Sequence, residues 1–314
     1  MPPKNGAGSK PLEHRQLSIF SAVYRVEAGA WFRILYPWFT SCLHVDMHGG
    51  VPGHESCEVS WDAQADLEFA IIDKLKVCLL MVDYFKFFDS FDHQWVRSFL
   101  IMLHFPAALV EMIYNMYAGL LRSIKIGAAY GDPFMTYNGM GQGDISTLFP
   151  ALALVSGQFY MINAYFPKVR MGACIDDRNY RGSFSDIVAT YGLISEYDTI
   201  AGHKTQPDKN AMAATSKSDT DKIKKLVLDG TVPKLVTHEV LVGDLITTVA
   251  RHSKSHVNSK VDKAFALGTG MKSSLTPIAI ALSTLELTWL LLCLATVVIR
   301  SPIHTRQRSE ERRV

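Results

Sequence analysis

The chain has 314 residues and a mass of 35.0 kDa, enough for one large domain or two ordinary ones and for a sizeable buried core. Hydrophobic residues make up 48% and charged residues 20%, a globular balance that argues against a disordered chain, a collagen-like repeat and a multi-span membrane protein. Thirty-two Lys and Arg against 30 Asp and Glu leave a formal charge of +2, so a nucleic-acid site has to come from local arrangement rather than from a global basic field.

The first 12 residues are rich in Pro, Gly and Lys and have no apolar core, so they read as a flexible leader and not as a signal peptide. Helix-like spacing of Phe20, Val23, Tyr24, Trp31, Ile34 and Leu35 predicts a helix over Ile19–Phe39, followed by a Gly/Pro/His-rich loop from His48 to His54. Trp61, Ala65, Phe69 and Ile72 predict an amphipathic helix opening near Ser60 and Asp62. It leads into the uniformly apolar run Val77–Val82, a buried strand ending in Asp83. Leu109, Met112, Ile113, Met116 and Leu120 form one stripe of a helix after Pro106.

Ser123–Gly127 and Phe134–Tyr137 predict a hairpin around the intervening Gly-Asp-Pro, delivering the chain to Gly139-Met-Gly-Gln-Gly-Asp144. A long apolar helix follows over 146–165, with Pro150 tolerable in its first turn. Val169–Cys174 and Arg178–Tyr180 predict a second hairpin with Ile175, Asp176 and Asp177 at its turn, and Ser185–Ile200 another helix. Ser218 and Asp221 suggest a capping box opening a charged helix. Residues 278–299 carry one charge, Glu286, before an Arg-rich end. Their length fits a membrane span, whereas Glu286 would be costly at a bilayer centre and favours a buried helix.

Five cysteines, with no Cys-x-x-Cys pair, suit a reducing compartment, intracellular and nuclear or cytoplasmic, rather than a disulfide scaffold. His44, Asp46, His48, His54 and Cys57 match no zinc spacing. The chemistry concentrates elsewhere: Asp83 at a strand end and Asp176 with Asp177 at a hairpin turn could meet if the two strand elements pair. Carboxylates crowded at one rim repel, and hard oxygen donors of this kind select Mg2+ or Mn2+. Turn chemistry for the Asp pair and helix capping for Asp83 are the plainer alternatives.

The joint order of motifs resembles the reverse transcriptase domain of non-LTR (LINE-type) retroelements. Asp83-Tyr-Phe-Lys-Phe-Phe-Asp89 is similar to that family's D-x-x-K-A-F-D segment, Gly139–Asp144 to its G-x-x-Q-G-D/C loop, and Cys174–Asp177 to its aromatic-x-D-D hairpin. Gln206-Pro-Asp-Lys-Asn210 is similar to N-P-x-K-T, Leu241-Val-Gly243 to a short L-G motif, and Arg15–Phe20 with Tyr24-Arg25 to an R-P-I-S-L opening. The match runs from about residue 15 to about residue 248.

The resemblance implies an α+β right-hand polymerase fold: fingers-like residues 13–75, a palm with inserted fingers elements over 76–250, and a partial or degenerate thumb-like helical tail over 251–314. It implies an RNA-directed DNA polymerase core, a fragment of a longer retroelement protein, acting on an RNA or DNA template, a primer strand and deoxynucleoside triphosphates with Mg2+ or Mn2+. Asp83, Asp176 and Asp177 would hold the metals. Lys209 would approach the leaving pyrophosphate, and Arg15, Phe88, Gln142 and Gly143 would meet the nucleotide, with the Phe88 ring excluding a ribose 2′-OH. The sequence departs from the family pattern at Cys174, where the family has Tyr or Phe, at Gly141, at Ile145-Ser146 and at Phe87. Three alternatives stay open: an inactive nucleic-acid-binding remnant, an RNA-dependent RNA polymerase, which Phe88 opposes, and a membrane-tethered protein.

Overall fold

A computed structural model describes residues 18–126, 128–241 and 244–248. Helix α1 (Ala22–Ser41) is capped by the Ser21 hydroxyl, which accepts from the Tyr24 amide at 3.2 Å. Helix α2 (Ser56–Ile72) leads to strand β1 (Cys78–Val82), all five residues of which are buried. Helix α3 (His93–Met102) starts on an Asp92 cap, whose carboxylate accepts from the Trp95 amide at 2.7 Å, and α4 (Ala107–Ala118) follows Pro106. Strands β2 (Lys125–Ile126) and β3 (Ala129–Tyr130) form a small exposed hairpin. Then come α5 (Leu148–Tyr165), β4 (Arg170–Cys174), β5 (Asp177–Gly182) and α6 (Phe184–Ala201). Strand β6 (Ala211–Ala214), helix α7 (Lys217–Leu228) and strands β7 (Lys234–Leu235), β8 (His238–Leu241) and β9 (Asp244–Thr247) complete the described chain.

The fold is mixed α and β. Its five-stranded sheet has the order β4-β5-β1-β6-β7, antiparallel except for the parallel β6–β7 pair. Because side chains alternate along a strand, β1 serves two cores. Cys78, Leu80 and Val82 join Phe149, Leu152, Phe159, Tyr180, Ile187 and Ile194 on the face that α5 and α6 supply. Leu79 and Met81 join Val59, Ala63 and Leu67 of α2, with Leu241 and Ile246, on the other. A strand covered on both faces has no polar side, which is why Cys78–Val82 reads as an unbroken apolar run. Among the described residues one stretch, Ile145–Tyr165, is long and apolar enough to cross a membrane, and most of it is buried in this core.

Four local expectations need correction. Helix α2 begins at Ser56 and turns Val59, Ala63, Leu67 and Ala70 inward, while Trp61, Phe69 and Ile72 are exposed. The aliphatic Val59, Ala63 and Leu67 pack on Leu79 and Met81 of β1. The first hairpin closes tighter than expected, Ile126 pairing with Ala129, and Phe134 meets Arg122 in an isolated bridge instead. The cap of α7 is Ser216, two residues before the expected position, its hydroxyl accepting from the Asp219 amide at 3.1 Å. The turn of the β4–β5 hairpin is Ile175–Asp176 alone, because Asp177 already pairs with Cys174. The leader, Arg15, Gly243 and the 251–314 tail with its 278–299 segment lie outside the described residues.

Candidate active site

The register of β1 against β5 pairs Val82 with Arg178. One further step sets Asp83 opposite Asp177 on neighbouring antiparallel strands, on the sheet face shared with Leu79 and Met81. Asp176 occupies the second position of the two-residue turn beside them. Ile175 before it has φ +60°, whereas Asp176 keeps a negative φ. A single positive φ at the first central position is the pattern of a type II′ hairpin turn, a place normally taken by Gly, so a β-branched residue here is strained. Such strain persists only where surrounding packing over-determines it, and it clusters at functional sites. Ile175 is packed against the main core, which holds the turn in place.

The segment 204–210 brackets Asp83. Phe85 donates to the Lys204 carbonyl at 2.8 Å, the Gln206 amide donates to the Asp83 carbonyl at 2.8 Å, and the Asp83 amide donates to Asn210 Oδ1 at 3.0 Å. The turn from Gln206 to Asn210 then brings the Lys209 ammonium within 2.5 Å of Asp83 Oδ2. Two motifs 126 residues apart thus form one ion pair. The Lys209 side chain is 52% exposed and that of Asp83 23% exposed, so the pair faces solvent and not the core.

Cys174 stands across the β4–β5 pair from Asp177. Burial pushes its thiol up to about 11, and the negative charges of Asp177 and Asp176 add to the shift. A thiol in that range is protonated at neutral pH and is not a nucleophile. The same field is what a cation would meet at this rim.

The glycine-rich loop is built as a separate unit against the segment following β1. Met140 donates to the Phe88 carbonyl at 2.8 Å and Gly139 to the Phe91 carbonyl at 2.7 Å, which places Phe88 beside the loop. Phe88 is half-buried, with its ring centroid 5.5 Å from that of Phe87. Gln142 is half-buried, its carbonyl accepts from the Ser18 amide at 3.0 Å, and its side-chain amide has no hydrogen-bond partner among the described residues. Gly143 has φ +100°, and a Cβ on Gly141 would lie 2.7 Å from Ser18 Oγ, so both glycines are required by backbone geometry and close approach.

Asp144, at the end of this loop, is buried and has a purely structural set of partners. Its carboxylate accepts from Tyr117 at 2.6 Å, Tyr24 at 2.9 Å and Ser146 Oγ at 2.5 Å. Tyr24 in α1 and Tyr117 in α4 are therefore the posts that hold the loop. Burial raises both phenols far above their usual range, with Asp144 adding to the rise, so they act as fixed donors.

Beneath the rim, on the opposite sheet face, the residues immediately after Asp83 and Asp177 are tied together. Arg178 is fully buried and donates to Tyr84 Oη at 2.8 Å and Gln158 Oε1 at 2.8 Å, with its guanidinium 4.0 Å from the Tyr84 ring centroid. Tyr84 donates to Asp198 at 2.9 Å, and Gln158 donates to the same carboxylate at 3.1 Å. Burial lifts Asp198 to about 6 even though Arg178, Tyr84 and Gln158 all favour its charged form. Breaking one member of such a buried charged set costs about 3–5 kcal/mol, so this network fixes the spacing of β1 and β5 where the aspartates leave the sheet.

The β1–β5 pairing on which a meeting of Asp83 with the Asp-Asp turn depended is present, its register carrying Asp83 to a position facing Asp177, and Lys209 is ion-paired to Asp83. Phe88 is tied to the glycine-rich loop through the Met140 amide, two residues before Gln142. Arg178, Gln158, Asp198 and Tyr117 had no motif of their own. Asn210 and Tyr24 carried a signal, Asn210 as the last residue of the segment containing Lys209 and Tyr24 as part of the opening segment.

No protein-family model matches the chain, and no curated protein matches it. Among solved structures it is similar to telomerase from Candida tropicalis in complex with the TWJ fragment of telomeric RNA, at 12% identity and TM-score 0.47, over 62% of this chain and 34% of that one. It is similar to apo telomerase from Candida tropicalis truncated from its C-terminal domain at 12% identity and TM-score 0.47, over 73% and 48%. Telomerase from Candida albicans with the same RNA fragment gives 12% identity and TM-score 0.44, over 62% and 34%. The chain thus spans between a third and a half of these structures. Likenesses this low leave the reading of the site to its own residues.

Proposed function

We propose that the chain is the fingers and palm of an RNA-directed DNA polymerase of the non-LTR retroelement type, performing nucleotidyl transfer on a template–primer with deoxynucleoside triphosphates. The observation that carries this reading is the facing position of Asp83 and Asp177 at the ends of β1 and β5, with Asp176 in the adjoining turn. Three carboxylates at one rim are a hard-oxygen donor set, which fits Mg2+ or Mn2+. When bound there, two such ions would activate the primer hydroxyl and stabilise the leaving oxygen. Lys209, ion-paired to Asp83, would meet negative charge on a leaving pyrophosphate. Gln142 and Gly143 offer an unpaired amide and an open backbone to the nucleotide, and Phe88 beside them would close off the volume of a ribose 2′-OH. Arg15 would complete the nucleotide contacts from the segment before α1.

Primer extension on RNA and DNA templates with Mg2+ tests the reading. The wild-type chain should extend, and Asp83→Asn, Asp176→Asn and Asp177→Asn should each abolish extension while preserving the far-ultraviolet circular dichroism. Extension by either Asp83→Asn or Asp176→Asn overturns it. The Cys174 thiol in place of an aromatic ring favours a second reading, a nucleic-acid-binding remnant, which predicts template binding without extension.

A further inference from the structure

We propose that His48, His54 and Glu58 form a binding site for one zinc-class divalent cation, separate from the aspartate rim. His48 Nδ1 and His54 Nδ1 both lie 2.9 Å from Glu58 Oε2, and the three ligand atoms fall within 4.8 Å of one another. The two imidazole rings stand edge to face with centroids 4.9 Å apart. Two nitrogens and one carboxylate oxygen converging on a single point are the donor set of three-ligand zinc centres, in which the fourth position is left to water or another ligand. Imidazole donors favour Zn2+, Ni2+ and Cu2+ over Mg2+.

The chain is built to bring these residues together. Gly50 and Gly53, with φ of +76° and +81°, turn the loop back so that His54 arrives beside His48. Glu58 lies one turn beyond His54 at the start of α2. The His48 and Gly49 amides both donate to the Ala173 carbonyl, at 3.0 and 3.3 Å, so the loop is stitched to the edge strand β4. The sides of the site differ: the His48 side chain is 8% exposed, whereas those of His54 and Glu58 are 35% and 36% exposed. One ligand is thereby held rigidly from behind and the open position faces solvent. The neighbouring candidates stay outside. His44 faces Asp46, and the Cys57 thiol donates to Glu55. Without a metal, the same three atoms are satisfied by protons, each imidazole donating Nδ1–H to the shared oxygen. Uptake of the ion displaces those protons, shifting both rings to the Nε2–H tautomer.

The site also has a mechanical consequence. A Cβ on Gly49 would lie 2.8 Å from both Cα and Sγ of Cys174, so the loop that carries His48 rests directly on the strand leading to Asp176. A cation held here would stiffen that strand edge.

The test uses the full 314-residue chain after chelator treatment, titrated with Zn2+ against a chromophoric competitor and separately with Co2+. One equivalent should bind, excess Mg2+ should not displace it, and the cobalt spectrum should lack thiolate charge-transfer bands. His48→Gln and His54→Gln should each weaken binding by on the order of 10²-fold or more. His54 sits on the exposed side, so its variant reports on the site even if His48→Gln does not fold. Asp176→Asn should keep the equivalent, which makes the result independent of polymerase activity. Affinity undiminished in His54→Gln, displacement by Mg2+, or thiolate bands in the cobalt spectrum would overturn the proposal.

Discussion

The Lys209 ammonium lies 2.5 Å from Asp83 Oδ2, although the two residues are 126 positions apart and belong to different motifs. A half-exposed pair of this kind contributes at most about 1 kcal/mol to stability. Its cost–benefit to the fold is therefore small, and a functional role separates cleanly from a structural one. Lys209→Ala should leave the melting temperature nearly unchanged while lowering primer extension by on the order of 10²-fold, the usual worth of a positioned acid. An unchanged extension rate would leave Lys209 as a surface ion-pair partner only.

Phe88 is packed against the main core on one side and joined through its carbonyl to Met140 on the other. Removing the ring should open the volume beside the glycine-rich loop. In competition assays, Phe88→Ala and Phe88→Val should raise the ratio of ribonucleotide to deoxynucleotide incorporation, with a stability loss of about 2 kcal/mol from the half-buried ring. A ratio identical to wild type returns Phe88 to simple packing.

Asp144 receives three hydroxyl groups in a buried site. Asp144→Asn puts amide donors against those hydroxyls and leaves at least one of them unsatisfied, at about 1–3 kcal/mol. Extension should fall with the stability, because Gln142 is two residues away on the loop that the carboxylate anchors. Tyr117→Phe, which deletes one donor to Asp144 and the acceptor of the Gly141 amide, should show a loss of the same kind. Denaturant melts of the two variants measure it, and equal stability of Asp144→Asn and wild type would contradict the anchoring role.

Burial, reinforced by the Arg178 charge, holds His203 down at about 3, against 6.5 in an unfolded chain. Below pH 6.5 the unfolded state takes up a proton that the folded state refuses, so this contribution to stability is intact above pH 6.5 and fades as pH falls toward about 3. Asp198 acts in the opposite sense: raised from 3.8 to about 6, it stabilises the fold when protonated and loses that contribution as pH rises through about 6. The two slopes oppose one another between pH 4 and 6. His203→Gln, which can retain the hydrogen bond to Ser90, removes the first and should leave a fold whose stability declines from pH 4 to 6. Denaturant titrations across that range would show parallel profiles for variant and wild type if burial of His203 were unimportant.

Local chemistry made much of this protein legible from its residues in order. The unbroken apolar run of β1 announced a buried strand, and the stripe from Leu109 to Leu120 behind Pro106 announced α4. The Asp-Asp pair announced a hairpin turn, and Asp83 a carboxylate at a strand end. Each of these rests on the backbone preference or hydropathy of a few neighbouring residues. Other features depended on which distant surface a residue met. The inward face of α2 went to Val59, Ala63 and Leu67, which meet Leu79 and Met81, and not to the larger Trp61 and Phe69. The placement of Asp83 opposite Asp177, the arrival of Lys209, the burial of Arg178 between Tyr84 and Gln158, and the convergence of His48 and His54 on Glu58 all follow from strand register and loop closure. Those are settled only when the chain assembles, since a one-residue slip of β1 against β5 would take Asp83 off the face it shares with Asp177, and the loop and helix residues meet only once their elements dock.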